Sequence, residues 1–407
     1  MLLRRKLLTA AAAAPLPFIA RARAQGKPPV IKIGSLQDGS GPYSHIGGVG
    51  SVACARLAIE EMAAQHGLNV ELLVADHQNK PDIGTAIARQ WFDDGVDALL
   101  EFNNSAIALA VNNMVRDRDK VMLANNVGSA ALSGKQCSPN MTHWTFDTAE
   151  LARVMGTALT AQGGDTWYFI RADYVFGNNL QDDTAAIVKA KGGKILGDSA
   201  MPLGTSDYAS ALLSAQVSGA KVIALALAGQ DLMNCVKQAA EMGIGRGQQK
   251  IGALIMHWQD AHSLGLETAQ GLQLTESFYW NVNDRSRAFS SRVTPHTKGM
   301  PPNMGQAGAY SAVRHYLKAV AALGPAAAKA SGRAAVAQMK QIPIEDDVLT
   351  NARIRADGRV VSDVYLFEVK KPSESKSEFD LYTLRATIGP DDAWRPMSEG
   401  GCPLVNG

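Results

Sequence analysis

The sequence is poor in residues that build metal and redox centres. Its 407 residues hold four cysteines and eight histidines. No two cysteines form a C-x-x-C pair and no Cys/His cluster has zinc-site spacing, which excludes a metal-held fold and a thiol redox enzyme as readings. Long hydrophobic runs are also missing. Mean hydropathy is -0.07 and 19% of residues are charged, which does not suit a multi-span membrane protein. No polybasic run marks a nucleic-acid or lipid surface. Catalytic signatures are scarce as well. There is no G-x-S-x-G, no H-E-x-x-H, no S-x-x-K at a helix start and no G-K-[ST] of a phosphate loop. His257 and His262 stand five apart in loop-like sequence without a carboxylate trio to complete a metal site. Asp76-His77 has no assignable nucleophile beside it. The expectation is therefore no enzyme, no metal and no cofactor.

The N-terminus carries an address. Arg4, Arg5 and Lys6 precede a mainly apolar stretch from Leu7 to Ala20, and Ala22-Arg23-Ala24 follows. That order is the pattern of a secretory signal cleaved after Ala24. A spanning helix needs about 20 apolar residues, and Pro15 and Pro17 interrupt this one. Residues 1–24 are expected to be removed and the mature protein to reach the periplasm. The Arg4-Arg5 pair leaves both twin-arginine and ordinary export open. Without residues 1–24, Lys+Arg falls from 40 to 35 against 38 Asp+Glu, a net charge of −3. Cys54 and Cys235 lie in helix-like apolar segments and read as small core residues. Cys137 and Cys402 each precede Ser-Pro or Pro in loop-like sequence and form the candidate disulfide for an oxidising compartment.

Apolar runs alternate with helical patterns. Strands are expected at Ile31–Leu36, Val70–Ala75, Val96–Phe102 and Val121–Ala124, with helices near 49–64, 82–92 and 106–116 between them. The pattern restarts with strands at Trp167–Ile170, Lys194–Gly197, Val222–Leu227 and Ile251–Ile255, and helices near 178–191, 207–217 and 231–242. Strand–helix–strand at this spacing gives right-handed crossovers and parallel sheets. The fold class is α/β, with two doubly wound parallel-sheet lobes. An amphipathic helix at Gly308–Leu323, an Ala-rich helix at 326–337, a turn at 353–358 and a strand at Val364–Val369 are too few for a third core. They are expected to cross back between the lobes and supply a multi-strand hinge.

Gly48-Val-Gly-Ser-Val-Ala53 matches G-x-G-x-x-A, but it lies well past the strand ending at Leu36. A dinucleotide site needs the motif in the turn directly after the strand, so the stretch reads as a loop feeding a helix. Ligands of open parallel sheets bind beyond the carboxyl ends of the strands. In the first series those tips offer Tyr43, then Asn103, Asn104 and Ser105, then Asn125, Asn126, Val127, Gly128 and Ser129. Ser105 is the expected N-cap of its helix. The second series offers Tyr174 and Phe176, Ala228 and Gln230, then Met256 and His257. One lobe thus supplies hydroxyls, amides and a helix start suited to a carboxylate. The other supplies aromatics, Met and His suited to an apolar or aromatic body. Helix capping alone would select many of the same residue types.

Four stretches together carry a family likeness: Ile33-Gly-Ser-Leu-Gln-Asp-Gly-Ser-Gly-Pro-Tyr43, Asp76-His-Gln-Asn-Lys80, Asp173-Tyr-Val-Phe-Gly177 and Gln306-Ala-Gly-Ala-Tyr-Ser311. On them the chain resembles the branched-chain amino-acid-type (type I) periplasmic solute-binding proteins of ABC importers, a Venus-flytrap fold. The resemblance implies two lobes joined by three crossovers, an N-lobe of 28–146 plus 279–350 and a C-lobe of 147–278 plus 351–407. It implies that Ser105 and Ser129 hold a ligand carboxylate, that Tyr43 flanks the mouth, that Tyr174 or Phe176 covers the ligand, and that Gln230 lines the second lobe. It also implies a monomer that delivers a small-molecule solute to an inner-membrane ABC permease. One departure matters. Amino-acid binders of the family place an acid after the strand that here ends near Ile255, to neutralise the ligand ammonium. This chain has Met256, His257, Trp258 and Gln259 there, and the first acid is Asp260. An unpaired buried ammonium costs several kcal/mol. The expected solute is therefore a branched-chain or hydrophobic amino acid or an amine-free aromatic or aliphatic acid. A periplasmic hydrolase or a sensory ligand-binding protein on the same fold is the alternative.

Overall fold

A computed structural model describes residues 29–245 and 247–405. The expected export signal and its cleavage after Ala24 lie outside the described residues. The first sheet contains β1 (Ile31–Gln37), β2 (Val70–Asp76), β3 (Ala98–Phe102), β4 (Val121–Asn125) and β5 (Met141–His143). All run parallel in the order β2-β1-β3-β4-β5. Helices α1 (Gly48–His66), α2 (Pro81–Asp93) and α3 (Ser105–Asp117) connect the first four. Every residue of β3 and β4 is buried, because crossover helices cover both faces of a parallel sheet. Each fully buried Leu or Val there contributes roughly 1.5–3 kcal/mol. Pro81 begins α2 with its φ already set. Gly67 ends α1 at φ 63°, a left-handed cap.

The second sheet repeats the plan. It holds β6 (Thr166–Ala172), β7 (Lys194–Met201), β8 (Val222–Ala226) and β9 (Lys250–Ala253), all parallel, in the order β7-β6-β8-β9. In each sheet the strand order reverses beside one strand, between β1 and β3 and between β6 and β8. That is where an open α/β sheet leaves a crevice at its carboxyl edge.

The chain passes between the sheets more than once. After β5, the helical stretch 148–161 leads into the second sheet. β10 (Gln273–Glu276) follows β9, and the chain then returns through helix Asp284–Val293 to helix Met304–Leu323, which packs along α1. That last helix starts at Met304 rather than Gly308. Asn303 caps it by accepting from Gln306 N–H at 2.8 Å, while the Gln306 side chain accepts from Asn303 N–H at 3.2 Å. The short hairpin β11 (Arg353–Ile354) and β12 (Val360–Val361) bridges to β5 through Arg359 and His143. β13 (Val364–Val369) then crosses to pair with β10, and β14 (Tyr382–Ile388) completes an antiparallel three-strand sheet. The last helical turns come back to the first lobe, where Cys402 is disulfide-bonded to Cys137, Cα–Cα 5.6 Å. Residues 353–361 and the end of the chain thus touch the first sheet's side, although the resemblance assigns all of 351–407 to the second lobe.

Candidate binding cleft between the lobes

The tips of β1 and β3 face those of β6 and β8 across a narrow cavity lined from both sides. The first wall begins with the turn after β1. Asp38 accepts from Gly41 N–H at 2.6 Å and Tyr43 N–H at 3.0 Å, which fixes Tyr43 at the rim. The end of β3 is strained. Glu101, Phe102 and Asn103 have φ of 85°, 108° and 48°, values that side chains other than glycine seldom adopt. The Glu101 carboxylate holds that bend by accepting from Ser51 Oγ at 2.5 Å, from Asn126 Nδ2 at 2.7 Å and from Asn125 Nδ2. Burial raises the Glu101 pKa, and these three donors offset only part of that rise.

The bend decides the next residues. Asn104, not Ser105, is the N-cap of α3. Its Oδ1 accepts from the N–H groups of Ala106 at 2.9 Å and Ile107 at 3.1 Å. Ser105 is the first helical residue. A side chain freed from capping is available to a guest, and Ser105 lines the cavity with Asn103 and Asn126. The positive end of a helix beside a hydroxyl suits an anion.

The opposite wall is aromatic. Tyr174 and Phe176 come from the helix after β6, Ala228 from the tip of β8, and Ile255 and His257 from beyond β9. Phe146, at the first crossing, and Ile46 close the sides. Gly128 is required by closeness: a Cβ there would lie 2.3 Å from Phe176 Cδ2. His257 is the N-cap residue of helix Trp258–Leu264, and His262 lies within that helix rather than in a loop. The imidazole of His257 is 1% exposed, and neither ring nitrogen has a protein partner. Burial pushes its pKa down to about 4, despite the nearby Asp260 carboxylate. At neutral pH it is therefore uncharged.

The lobes also bond directly across the cleft. Tyr43 and Tyr174 hydroxyls are 2.8 Å apart. His45 Nε2 lies 2.8 Å from Asp260 Oδ1. Asn303 Nδ2 donates to Gln259 Oε1 at 3.0 Å. Gly229, at φ 58°, lets the second lobe come close to Pro42: a Cβ there would lie 2.7 Å from Pro42 O.

Of the residues expected at the site, Tyr43, Ser105, Gly128, Tyr174, Phe176, Ala228 and His257 line the cavity. Five others do not. Asn104 is spent on capping. Val127 is core, and its carbonyl accepts from His143. Ser129 donates to Asn179 Oδ1 at 3.0 Å. Gln230 is exposed and donates to Asn234. Met256 points into the second lobe's core. The reading of strand tips already pointed at Asn103 and Asn126, whereas Ile255 enters it only as the end of a strand. Ile46 and Phe146 were missed: Phe146 lies just after β5, whose three residues carry no detectable period.

Residues 30–376 match the periplasmic binding protein family. The chain belongs to that family. A crystal structure of a periplasmic binding protein from Burkholderia mallei is 42% identical, covers 92% of this chain and 99% of its own, and superposes with a TM-score of 0.88. A branched chain amino acid ABC transporter periplasmic ligand-binding protein from Burkholderia xenovorans is 37% identical over the same shares, with a TM-score of 0.81. A solute-binding protein of a Rhodopseudomonas palustris ABC transporter, in complex with benzoate, is 17% identical with a TM-score of 0.79, covering 89% of this chain and 97% of its own. That last likeness is one of fold. The binding protein is thus of the ABC-transporter type, and its two sheets are the two lobes of the type I fold. Among its described residues no helix is long and apolar enough to cross a membrane.

Proposed function

We propose that the cleft captures a small carboxylate without an amine, an aromatic or branched aliphatic acid, and passes it unchanged to an inner-membrane permease. One observation carries this reading. Among the described residues, the cavity wall contains a hydroxyl at a helix N-terminus, amides and five aromatic or imidazole rings, but no Asp or Glu. Asp260, the acid nearest in sequence, is already engaged: it accepts from His257 N–H at 2.9 Å and pairs with His45. An ammonium in this cavity would lose its hydration without gaining a counter-charge, at a cost of several kcal/mol. A carboxylate meets Ser105 and the positive end of α3, which stabilises an anion by about 0.3–2 kcal/mol. The benzoate bound by the R. palustris protein of the same fold is a solute of this kind.

The name of the B. xenovorans relative favours a second reading, a free branched-chain amino acid. Calorimetry with benzoate, cyclohexanecarboxylate, leucine and valine separates the two. The acids should bind and the amino acids should not. Ser105→Ala should weaken acid binding about tenfold, the loss of one hydrogen bond to a charged group, with an unchanged melting temperature. Tight leucine binding, or an acid affinity indifferent to Ser105→Ala, would overturn the proposal. A solute recovered chemically intact after incubation is the outcome expected of a carrier, and a hydrolysed one that of an enzyme.

A further inference from the structure

His257 is unusual for a buried residue. It lines the cavity at 1% exposure, and both Nδ1 and Nε2 lack a protein hydrogen-bond partner. Behind it lies Glu276 of β10. This carboxyl is also buried, no side chain bonds either oxygen, the Trp258 backbone N–H lies toward it, and Oε1 sits 4.0 Å from His257 Nδ1. Buried polar groups are nearly always satisfied, and a ring left unsatisfied is costly. His257 stands on the second lobe, facing the wall that carries Ser105. A solute whose carboxylate rests on α3 therefore directs its far end at the imidazole.

Resting on the carboxylate reading above, we propose that His257 is the specificity-determining residue for that far end. It receives a hydroxyl, so the cleft prefers a hydroxy-substituted acid to the same acid without the hydroxyl. The chemistry of the pair supports this. Nδ1 faces Glu276, which leaves Nε2 as the nitrogen turned away from that carboxyl. With its pKa at about 4 the ring is neutral and carries one N–H and one lone pair. Burial, with the Asp260 charge adding to it, raises the Glu276 pKa well above the ordinary carboxyl value. A neutral ring backed by a carboxyl that burial drives toward its protonated form suits a hydroxyl, which both donates and accepts. It does not suit an ionised group. The other groups around the ring are Asp260, held by His45, and the Phe146 ring with its centroid 6.0 Å away. Neither completes the imidazole's hydrogen bonds.

The test is calorimetry on the full mature protein with benzoate and 4-hydroxybenzoate, on wild type, His257→Leu and Glu276→Gln. Wild type should bind the hydroxylated acid at least about tenfold more tightly, the effect of one buried hydrogen bond. His257→Leu should bring the two affinities to within about twofold of each other, and a gap that survives the substitution would overturn the inference. Glu276→Gln should change the gap by less than about threefold. Equal wild-type affinities for the two acids would sink this inference alone. Failure of both acids to bind would sink the carboxylate reading, and this inference with it. If leucine binds and Glu276→Gln abolishes that binding, the group received is an ammonium and the inference is wrong. The wild-type comparison stands even if a variant folds poorly.

Discussion

Replacing His45 by alanine should loosen closure of the cleft by a calculable amount. His45 Nε2 lies 2.8 Å from Asp260 Oδ1, joining the loop after β1 to the helix after β9. Asp260 is 1% exposed and His45 30% exposed at their side chains. A hydrogen bond to a charged group contributes about 1.5–3 kcal/mol. The part-exposed histidine is screened by water, so the low end applies, about 1.5 kcal/mol. Solute affinity scales with the closed fraction, and each 1.4 kcal/mol is roughly tenfold. His45→Ala should therefore weaken solute binding roughly tenfold.

The pair also sets a pH dependence. Burial opposes a charged imidazole, but the hydrogen bond and charge of Asp260 outweigh it and raise the His45 pKa above 6.5. Burial likewise opposes ionised Asp260, and His45 outweighs that and lowers its pKa. A group whose pKa is raised in the closed form stabilises that form fully below its ordinary pKa. It loses the contribution as pH rises through the raised value. Affinity measured by calorimetry should fall as pH climbs from about 6 through the raised His45 value. His45→Gln, which keeps a neutral hydrogen bond, should flatten that slope. The reasoning is refuted if His45→Ala binds within twofold of wild type and wild-type affinity is level across this range.

Two further outcomes are expected. Gly128→Ala places a methyl 2.3 Å from the Phe176 ring, so the ring must swing into the cavity. Such overpacking costs about 1–3 kcal/mol, and acid affinity should drop about tenfold or more while circular dichroism stays that of the folded protein; unchanged affinity would show that Phe176 yields elsewhere. Cys137→Ser opens a disulfide spanning 265 residues; its loss should cost about 2–5 kcal/mol and lower the melting temperature under non-reducing conditions, and a melting temperature equal to wild type would mean that the tail is held by packing alone.

The sheets were the most legible part of the sequence. Val222–Ala226 and Val121–Asn125 are buried at every position, and a continuous apolar run between turn signals announces such strands. What escaped was short or half-exposed. β5 has three residues, β10 has four of which only Leu274 is apolar, and most of β14 faces outward. None of these carries enough apolar residues in a row to print a pattern. Strand tips were a sound guide to which loops reach the cavity, because parallel topology alone decides it. They were a poor guide to single side chains. Asn104 and Ser105 are neighbours with equal capping ability, and only the backward bend of residues 101–103 decides which one caps. The partners that occupy Ser129 and Gln230, Asn179 and Asn234, likewise come from folded geometry. So does Asp260's commitment to His45, 215 residues away in the chain.

The bond from Cys137 to Cys402 has a consequence for the order of synthesis. Cys137 is made 265 residues before its mate, so the early thiol must wait while the intervening chain of both lobes is made. Cys54 and Cys235 both emerge before Cys402 and are the wrong suitors. Each is sealed inside a helix of its own lobe, and burial pushes both thiols well above the pKa at which they would attack. Correct pairing thus follows from folding having gone first, and the clasp records that both lobes were already in place when it snapped shut.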